Sequence, residues 1–421
     1  MSIFKEIIQD TSRILTYVVY AITIYYLFVS LFGIYRKDDN KEINPKKSFA
    51  LIVAAHNEEV VIGDIVESLK RIDYPKNLYD IFVIADNCKD KTAQKAREKG
   101  AIVYERTNKD KKGKGYALEW MFDKIFKMEK KYDSVAIFDA DNLVHRDFLK
   151  EMNKKLCEGY KVVQGYLDSK NPEDTWITGS YSISFWTSNR IFQLARSNMG
   201  LSSQLGGTGF CIDTEILKKL GWGATCLTED LEFSCKIVLN GYKVGWAHNA
   251  IIYDEKPLSL IQSWRQRKRW MQGFADVASR YFFKLLKKSI TTASFTALDC
   301  ALYSIQPIVA ILLGISAMIG SYNYFMKMLN LINSGVLFSD IDMIKIIVIL
   351  YSIFQFIYTP MILVLEKKLN FKIFCYYLIY PIYAITWFPI SIQGIIDRNK
   401  KEWNHTLHTR SIQINDLEKA N

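Results

Sequence analysis

The sequence has no pair of cysteines at a metal-binding or redox spacing. Its seven cysteines are scattered along the chain without any C-x-x-C pair. Zinc sites and disulfide frameworks are recognised by cysteines at short, regular spacings. Neither is therefore indicated. The pattern suits a reducing compartment, in which we expect most of these thiols to be buried small apolar side chains.

Motifs for nucleic-acid recognition are also missing. The sequence contains no helix-turn-helix, zinc-finger or RNP pattern, although its net charge is +11. A basic composition alone is only an electrostatic footprint. Much of this charge lies beside apolar segments, where anionic lipid attracts lysine and arginine. We therefore expect membrane lipids and an anionic substrate as partners, and no nucleic acid.

Charged residues are absent from a long run near the N-terminus, residues 14–35. At ~1.5 Å per residue, a helix of this length spans the ~30 Å hydrocarbon core of a bilayer. A cleaved signal peptide is the alternative, but the run is too long for its apolar region. Acidic residues also precede the run, and no small-residue cleavage site follows it. The sequence therefore predicts an N-terminal transmembrane helix.

A C-terminal membrane region is predicted over residues 295–396. Its three apolar segments are residues 295–322, 344–365 and 374–396. Asp299 interrupts the first of them, and Pro381 and Pro389 lie inside the last. Proline breaks the helical hydrogen-bond ladder, so the last segment is expected to be kinked or re-entrant instead of a straight span.

The distribution of basic residues predicts the orientation in the membrane. Lysine and arginine crowd the exit of the first segment, at Arg36, Lys37, Lys41, Lys46 and Lys47. The positive-inside rule places this side in the cytoplasm. We therefore predict a multi-pass protein of the cell membrane with a cytoplasmic globular part. Three full C-terminal crossings would put the basic tail, residues 397–421, outside, so a re-entrant last segment with the tail inside stays open.

The globular part, residues 48–280, has the pattern of an α/β domain. Apolar runs at 49–55, 79–85 and 134–138 alternate with helical patterns, such as the one with Ile62, Ile65, Val66 and Leu69 on one side. This alternation predicts βαβ units and a mostly parallel sheet. Each run ends in polar residues, and ligands of open α/β sheets bind at the carboxyl ends of the strands.

Paired carboxylates follow the third of these strands. Asp139 and Asp141 occupy alternate positions, so both can face the same side at a strand end. Magnesium and manganese prefer such oxygen ligands, with phosphate and water completing the shell. An acidic strand end that binds nothing is the alternative. The sequence favours a divalent-cation site.

Thr228, Glu229 and Asp230 precede a helical spacing of apolar residues. Thr228 as a helix N-cap is the purely structural interpretation. An acidic residue at a helix start can also project into a cleft and take a proton.

The order of these motifs resembles the membrane-embedded, processive glycosyltransferases of family 2, which include cellulose, hyaluronan, chitin and poly-N-acetylglucosamine synthases. Residues 262–273 match the family's Gln-x-x-Arg-Trp motif in Gln266, Arg269 and Trp270. A cationic helix on the membrane surface is a compatible interpretation of this segment. The resemblance implies a GT-A fold, the fold of nucleotide-diphospho-sugar transferases, in an α/β domain with transmembrane helices attached.

The resemblance also implies a role for individual residues. Asp230 would be the general base and Asp141 the direct metal ligand. The donor nucleotide would be bound by Asn57, Glu58, Asp86, Lys114, Asp139 and Arg269. Gly207 of the glycine-rich turn, Gln266 and Trp270 would contact the acceptor.

The function implied is inverting transfer from a UDP-sugar, glucose or N-acetylglucosamine, with Mg²⁺ or Mn²⁺ as cofactor. The growing β-linked polysaccharide would be made at the cytosolic membrane face and exported, with accessory export subunits as further partners. Two alternatives remain: a non-processive enzyme acting on a membrane lipid, and a catalytically silent membrane adaptor.

Overall fold

The computed structural model describes residues 2–37, 43–223, 226–334, 356–400 and 410–418. Its strands are β1 Phe49–Ala55, β2 Tyr79–Asp86, β3 Ile102–Arg106, β4 Ser134–Asp139, β5 Leu143–Val144, β6 Val162–Ser169, β7 Phe210–Asp213 and β8 Val244–Asp254. Its helices are α1 Ser2–Leu31, α2 Ile62–Lys70, α3 Thr92–Glu98, α4 Lys114–Lys127, α5 Phe148–Cys157, α6 Trp176–Ser188, α7 Ala195–Asn198, α8 Thr214–Leu220, α9 Glu229–Leu239, α10 Leu260–Thr292, α11 Phe295–Ser304, α12 Gln306–Ser334, α13 Phe356–Leu365, α14 Phe371–Ile385, α15 Trp387–Ile396 and α16 Ile414–Glu418.

The eight strands form one mixed sheet in the order β3-β2-β1-β4-β7-β6-β8-β5. Strands β1 to β4 are parallel, as are β6 and β8, whereas β7 and β5 run antiparallel to their neighbours. The three predicted strands and the helix after the first are confirmed. The expectation of a mostly parallel sheet holds for the first half only, because β7 enters between β4 and β6 in the opposite direction.

Helices cover both faces of the sheet, which explains why the strands are apolar throughout. In β1, Phe49, Leu51 and Val53 belong to the core on one face, and Ala50 and Ile52 to the core on the other. A strand buried on both faces needs a continuous apolar run instead of an alternating one. The polar residues that follow each run are consequently left at the carboxyl edge of the sheet.

Among the described residues, one helical segment, Phe371–Ile396, is long and apolar enough to cross a membrane. The pair α11 and α12 passes the same test only together, over Phe295–Tyr322, and bends by 67° at its break. Tyr17–Leu31 and Phe356–Leu365 are shorter apolar helices. The predicted segment 344–365 lies partly outside the described residues, so the number of crossings stays a prediction.

One detail of the predicted membrane segments differs from expectation, whereas the expected break in the last segment is present. Helix α1 ends at Leu31, short of the predicted end at residue 35. The last segment is interrupted at Thr386, between α14 and α15, and Pro381 lies inside α14. Asp299, which interrupts the first C-terminal segment, is fully buried and forms an ion pair with Arg196, with 2.7 Å between Oδ2 and Nε.

Candidate active site

The predicted donor residues lie at the ends of β1 and β2. Asp86 is the last residue of β2 and is buried. Asn57 follows β1 with a left-handed backbone (φ 55°), and its side-chain oxygen accepts a hydrogen bond from the Lys89 amide at 2.8 Å. The amide of the buried Glu58 donates to Thr92 Oγ1 at 2.8 Å. These bonds fix the turns after both strands at one edge of the sheet.

Arg106 is a residue of this region that the sequence reasoning missed. It ends β3, directly opposite Asp86 in the register, and its guanidinium forms a buried ion pair with the Asp86 carboxylate. The same guanidinium donates to the Lys111 carbonyl at 2.6 Å. Sequence reasoning could have found Arg106 because it is an arginine at the end of a short strand pattern that follows β2. The pair holds the Asp86 carboxylate in a fixed orientation.

Lys114 links the donor side to the glycine-rich turn. It begins α4, and its ammonium donates both to Asp139 and to the Gly207 carbonyl, the latter at 2.6 Å. Burial lowers the pKa of Lys114, but the carboxylates of Asp139, Glu229 and Asp230 outweigh it, and the pKa lies above its ordinary value. Lys114 is therefore a cation in the field of Asp139, Glu229 and the predicted base Asp230.

Asp141 lies at the same carboxyl edge of the sheet and is more buried than Asp139. Its carboxylate is buried and accepts a hydrogen bond from the Glu255 amide at 3.0 Å. Asn142 supports the neighbouring carboxylate residue, because its Oδ1 accepts from the Asp139 amide at 3.1 Å and also from Thr208. The loop between β4 and β5 is thereby fixed to the glycine-rich turn.

The residues present fit a hard divalent cation. Within the described ranges, no group of three or more histidine, cysteine or acidic side chains gathers as a preformed metal cage. Mg²⁺ and Mn²⁺ do not require one, because one or two carboxylates suffice when phosphate oxygens and water fill the other positions. Asp139 and Asp141 supply such oxygens at the carboxyl end of β4.

The candidate base lies beside the glycine-rich turn, which Lys114 joins to Asp139. Glu229 and Asp230 begin α9, and the Asp230 Oδ2 atom lies 3.6 Å from the position that a Cβ on Gly207 would occupy. Burial raises the pKa of Asp230, and burial together with the Asp230 charge raises the pKa of Glu229 to about 7. A carboxylate whose pKa is raised towards neutrality is a better proton acceptor.

Thr228 is at the N-cap position of α9, but its side chain makes no capping hydrogen bond. Thr228 is therefore the N-cap residue that the sequence predicted, but its side chain contributes no hydrogen bond to the cap. Instead Thr228 packs against Gly273 of α10, where an added Cβ would lie 2.4 Å from Thr228 Oγ1. This close approach brings the helix of the Gln-x-x-Arg-Trp motif against the start of α9.

The predicted acceptor residues lie on α10 together with an aromatic cluster. Gln266 accepts a hydrogen bond from the buried Tyr181 hydroxyl of α6. The rings of Tyr181 and Trp270 meet edge to face with 5.9 Å between centroids. Burial raises the pKa of Tyr181 well above its ordinary value. Gln266 and Trp270 therefore both contact Tyr181, which sequence reasoning did not single out.

The predicted site residues thus form two groups. The first contains Lys114, Asp139, Gly207 and Asp230, with Asp141 beside it. The second contains Gln266 and Trp270 in contact with Tyr181, with Arg269 next to Trp270 on the same helix. Asn57, Glu58 and Asp86 lie at the ends of the neighbouring strands.

Comparison with protein families identifies the class. Residues 45–273 match the model of the family described as "Glycosyltransferase like family 2", so the chain belongs to that family. This is a family of glycosyltransferases, and the mixed α/β sheet of the chain is of the GT-A kind.

Several curated proteins are similar to the chain. Over 266 residues it is 29% identical to Probable glycosyltransferase YdaM of Bacillus subtilis, covering 60% of this chain and 61% of that protein. It is 27% identical over 60% of its length to the Beta-monoglucosyldiacylglycerol synthase of Nostoc, covering 54% of that protein. A Poly-beta-1,6-N-acetyl-D-glucosamine synthase of Staphylococcus aureus is 24% identical over 63% of this chain and 66% of its own. The chain thus spans about 54–66% of the length of these relatives.

A solved structure shares the fold over most of the chain. The mannosyltransferase PcManGT of Pyrobaculum calidifontis, in complex with GDP-Man and Mn²⁺, aligns with a TM-score of 0.59. The alignment covers 93% of this chain and 99% of that one at 14% identity. At this identity the likeness establishes the fold alone.

Proposed function

We propose that this enzyme transfers glucose or N-acetylglucosamine from a UDP-sugar to an acceptor hydroxyl with inversion, at the cytosolic face of the cell membrane. The observation that carries the proposal is the convergence of Lys114, Asp139 and Gly207 on the side of the half-buried Asp230. A single displacement needs one base near the acceptor and cationic groups near the departing diphosphate. Both kinds of group meet here.

In this mechanism Asp230 accepts the proton of the acceptor hydroxyl as that oxygen attacks the anomeric carbon. The bond from the anomeric carbon to the diphosphate oxygen breaks as the new glycosidic bond forms, so the configuration inverts. Lys114 and Arg269 would face the negative charge of the departing UDP, and Asn57, Glu58 and Asp86 would orient its nucleoside. Asp141, with Asp139 beside it, would hold Mg²⁺ or Mn²⁺, which neutralises charge on the diphosphate when bound.

The first test removes the base. Asp230→Asn keeps the size of the side chain but cannot accept the proton, so sugar transfer should fall by about 10²–10⁴-fold. Binding of UDP with Mg²⁺, measured by calorimetry, should stay within twofold of wild type. The matched control is Asp276→Asn, an acidic residue of α10 that pairs with Arg280. Transfer at the normal rate by the Asp230 variant would remove Asp230 from this role.

For the acceptor we propose a growing β-linked polysaccharide, exported through the chain's own helices with the help of accessory subunits. The support for this is the Gln-x-x-Arg-Trp helix. Gln266 and Trp270 offer an amide and a flat indole face, which suit repeated binding of a sugar ring. One curated relative is a synthase of such a polymer.

A membrane lipid is the second candidate acceptor. A glucosyldiacylglycerol synthase is among the relatives with higher identity than the polysaccharide synthase. In addition, Tyr383 of the membrane-length segment Phe371–Ile396 packs against Tyr181 beside the motif. A lipid held in the bilayer could reach the site from that side.

The product distinguishes the acceptor classes. Purified full chain is incubated with radiolabelled UDP-glucose or UDP-N-acetylglucosamine, Mg²⁺ and membrane lipids. We expect a product that stays at the chromatographic origin and that a β-glycan hydrolase digests. A chloroform-soluble product would instead establish the lipid acceptor, and a chain that releases no UDP from either donor would be a silent adaptor. Asp230→Asn serves as the negative control in every arm.

A further inference from the structure

Tyr181 of α6 has a buried hydroxyl group with a single, specific partner. The residue is 2% exposed, and its hydroxyl donates to Gln266 Oε1. A buried hydroxyl without a partner would cost free energy, so this bond fixes the position of both side chains. Gln266 belongs to the Gln-x-x-Arg-Trp motif, whereas Tyr181 lies 85 positions earlier in the chain and outside any motif.

The bond decides which way the Gln266 amide points. A glutamine amide has one acceptor oxygen and one NH₂ group with two donor hydrogens. Tyr181 occupies the oxygen, so the NH₂ group is left for other partners. In the described part of the chain, no residue accepts a hydrogen bond from it. Gln266 is half-buried, so this donor group can still meet a ligand.

Tyr181 also holds the second acceptor-side residue of the motif. Its ring meets Trp270 edge to face, with 5.9 Å between centroids and 67° between planes. On another side the Tyr181 ring stacks on Phe185, with 5.7 Å between centroids and an interplanar angle of 18°. Such geometries favour one ring orientation over others. The same residue therefore sets the Gln266 amide and the Trp270 indole relative to each other.

Tyr181 is itself held from two further elements. Tyr383 of α14 lies 6.0 Å from it, centroid to centroid. The Lys256 ammonium, which pairs with Asp254 at 2.6 Å, lies 5.7 Å from the Tyr181 ring. The backbone amide of Glu255, which lies between Asp254 and Lys256 in the chain, donates a hydrogen bond to Asp141. The segment that follows β8 thus connects the metal-binding carboxylate to the surroundings of Tyr181.

We propose that Tyr181 is a positioning residue of the acceptor subsite. It presents the Gln266 NH₂ group, beside the Trp270 face, to an acceptor oxygen that accepts a hydrogen bond. The substrate class that fits is an uncharged polyol, such as a sugar ring or the glycerol of a lipid, whose hydroxyl oxygens accept from the amide. The inference rests on the proposed function, because it deepens the role proposed for Gln266 and Trp270.

The experiment is a double-mutant cycle on the full chain, with Tyr181→Phe, Gln266→Ala and both together. Acceptor KM and kcat are measured with cellotetraose and with dioctanoylglycerol, using whichever UDP-sugar the wild type consumes. Tyr181→Phe removes only the hydroxyl, so acceptor KM should rise about fivefold, the effect of one neutral hydrogen bond. kcat and the Kd of UDP with Mg²⁺ should stay within twofold of wild type.

The matched control is Tyr380→Phe. Tyr380 belongs to the same aromatic cluster, but its hydroxyl bonds Ser184 at 2.9 Å instead of Gln266. We expect this variant to leave acceptor KM unchanged. In the double variant, loss of the Tyr181 hydroxyl should add nothing to Gln266→Ala, because both changes remove the same presented amide.

Three outcomes would overturn the inference and leave the proposed function standing. The first is an unchanged acceptor KM in Tyr181→Phe. The second is that the effects of the two substitutions on acceptor KM multiply in the double variant. The third is that Tyr181→Phe weakens UDP binding by the same factor as it raises acceptor KM. Failure of the wild type to transfer sugar from either donor to any acceptor is a different result. It would overturn the proposed function and this inference with it.

Discussion

Glu229 and Asp230 are adjacent, half-buried carboxyl groups near Lys114. Burial raises the pKa values of both groups, and for Glu229 the charge of Asp230 adds to this rise. Lys114 opposes the rise, which keeps at least one of the two groups ionised. Two interacting carboxyls lose their protons in steps that belong to the pair. The acid limb of the activity profile should therefore report this pair.

Glu229→Gln should move that acid limb to lower pH, because it removes the carboxyl whose pKa is raised to about 7 and leaves Asp230 to titrate alone. The profile of kcat/KM between pH 4 and pH 8 measures the shift.

The pH dependence of stability provides a second measurement on the same group. The Glu229 pKa rises from 4.5 to about 7 on folding, so the native state keeps a proton that the unfolded state has lost. The free energy of unfolding should then fall as pH rises across this interval in the wild type, and less so in the variant.

The control for this prediction is Glu215→Gln, an exposed residue of α8 that pairs with Lys218. The acid limb of the kcat/KM profile of this control variant should coincide with that of the wild type. An unchanged acid limb in Glu229→Gln would mean that the two carboxyls do not titrate together, and the electrostatic account of the pair would be wrong.

Individual residues differ in how far the sequence could predict their surroundings. Asp139 and Asp230 follow recognisable strand and helix patterns, so their positions at the sheet edge and helix start could be expected. The partner of Asp86 could not, because Arg106 meets it through the register of two strands. The same holds for Tyr181, whose bond to Gln266 depends on how α6 and α10 pack. Side-chain partners that are distant in sequence follow from tertiary packing, which no local pattern encodes.

At the scale of elements, local periodicity predicted what is local. The strand after residue 48 and the helix with Ile62, Ile65, Val66 and Leu69 buried both appear as expected. The antiparallel insertion of β7 was not predictable, because a strand of four residues carries little pattern and its direction depends on which strands it joins. β5, with two residues, is shorter still. The second half of the sheet is therefore where expectation and structure separate.

Helix α10 shows the same division. Its motif predicted a basic, tryptophan-bearing segment, but the structure extends it to 33 residues. Gly273 makes its approach to Thr228 possible, since any larger side chain would meet that residue's Cβ at 2.8 Å. The helix can thus carry Gln266 and Trp270 close to the start of α9. Sequence could identify the motif, whereas only packing explains how it comes close to the proposed base, Asp230.

At the scale of the whole molecule, Arg190 joins three parts of the chain that are far apart in sequence. It lies in the short π-helical segment Asn189–Leu194 that follows α6. Its guanidinium donates to the carbonyls of Gly33 and Ile34, just after α1, at 2.8 and 3.0 Å. It also pairs with Glu366, just after α13, at 2.7 Å. The catalytic domain is thereby tied to the ends of two apolar helices.

Arg190→Met should destabilise the whole molecule, because it leaves the buried Glu366 carboxylate without this ion-pair partner. Both side chains of the pair are about 95% buried, at 5% and 4% exposure. Breaking a buried pair from one side costs about 3–5 kcal/mol, which corresponds to a thermal midpoint lower by at least about 5 °C. The midpoint is measured on detergent-solubilised full chain, with limited proteolysis reporting whether the catalytic domain separates from its helices.

The matched control is Arg97→Met, which removes an exposed pair with Glu105, at 51% and 61% exposure. Such surface pairs contribute about 0–1 kcal/mol, so the control should shift the midpoint little. Equal shifts in the two variants would show that the Arg190 pair does not tie the catalytic domain to the helices.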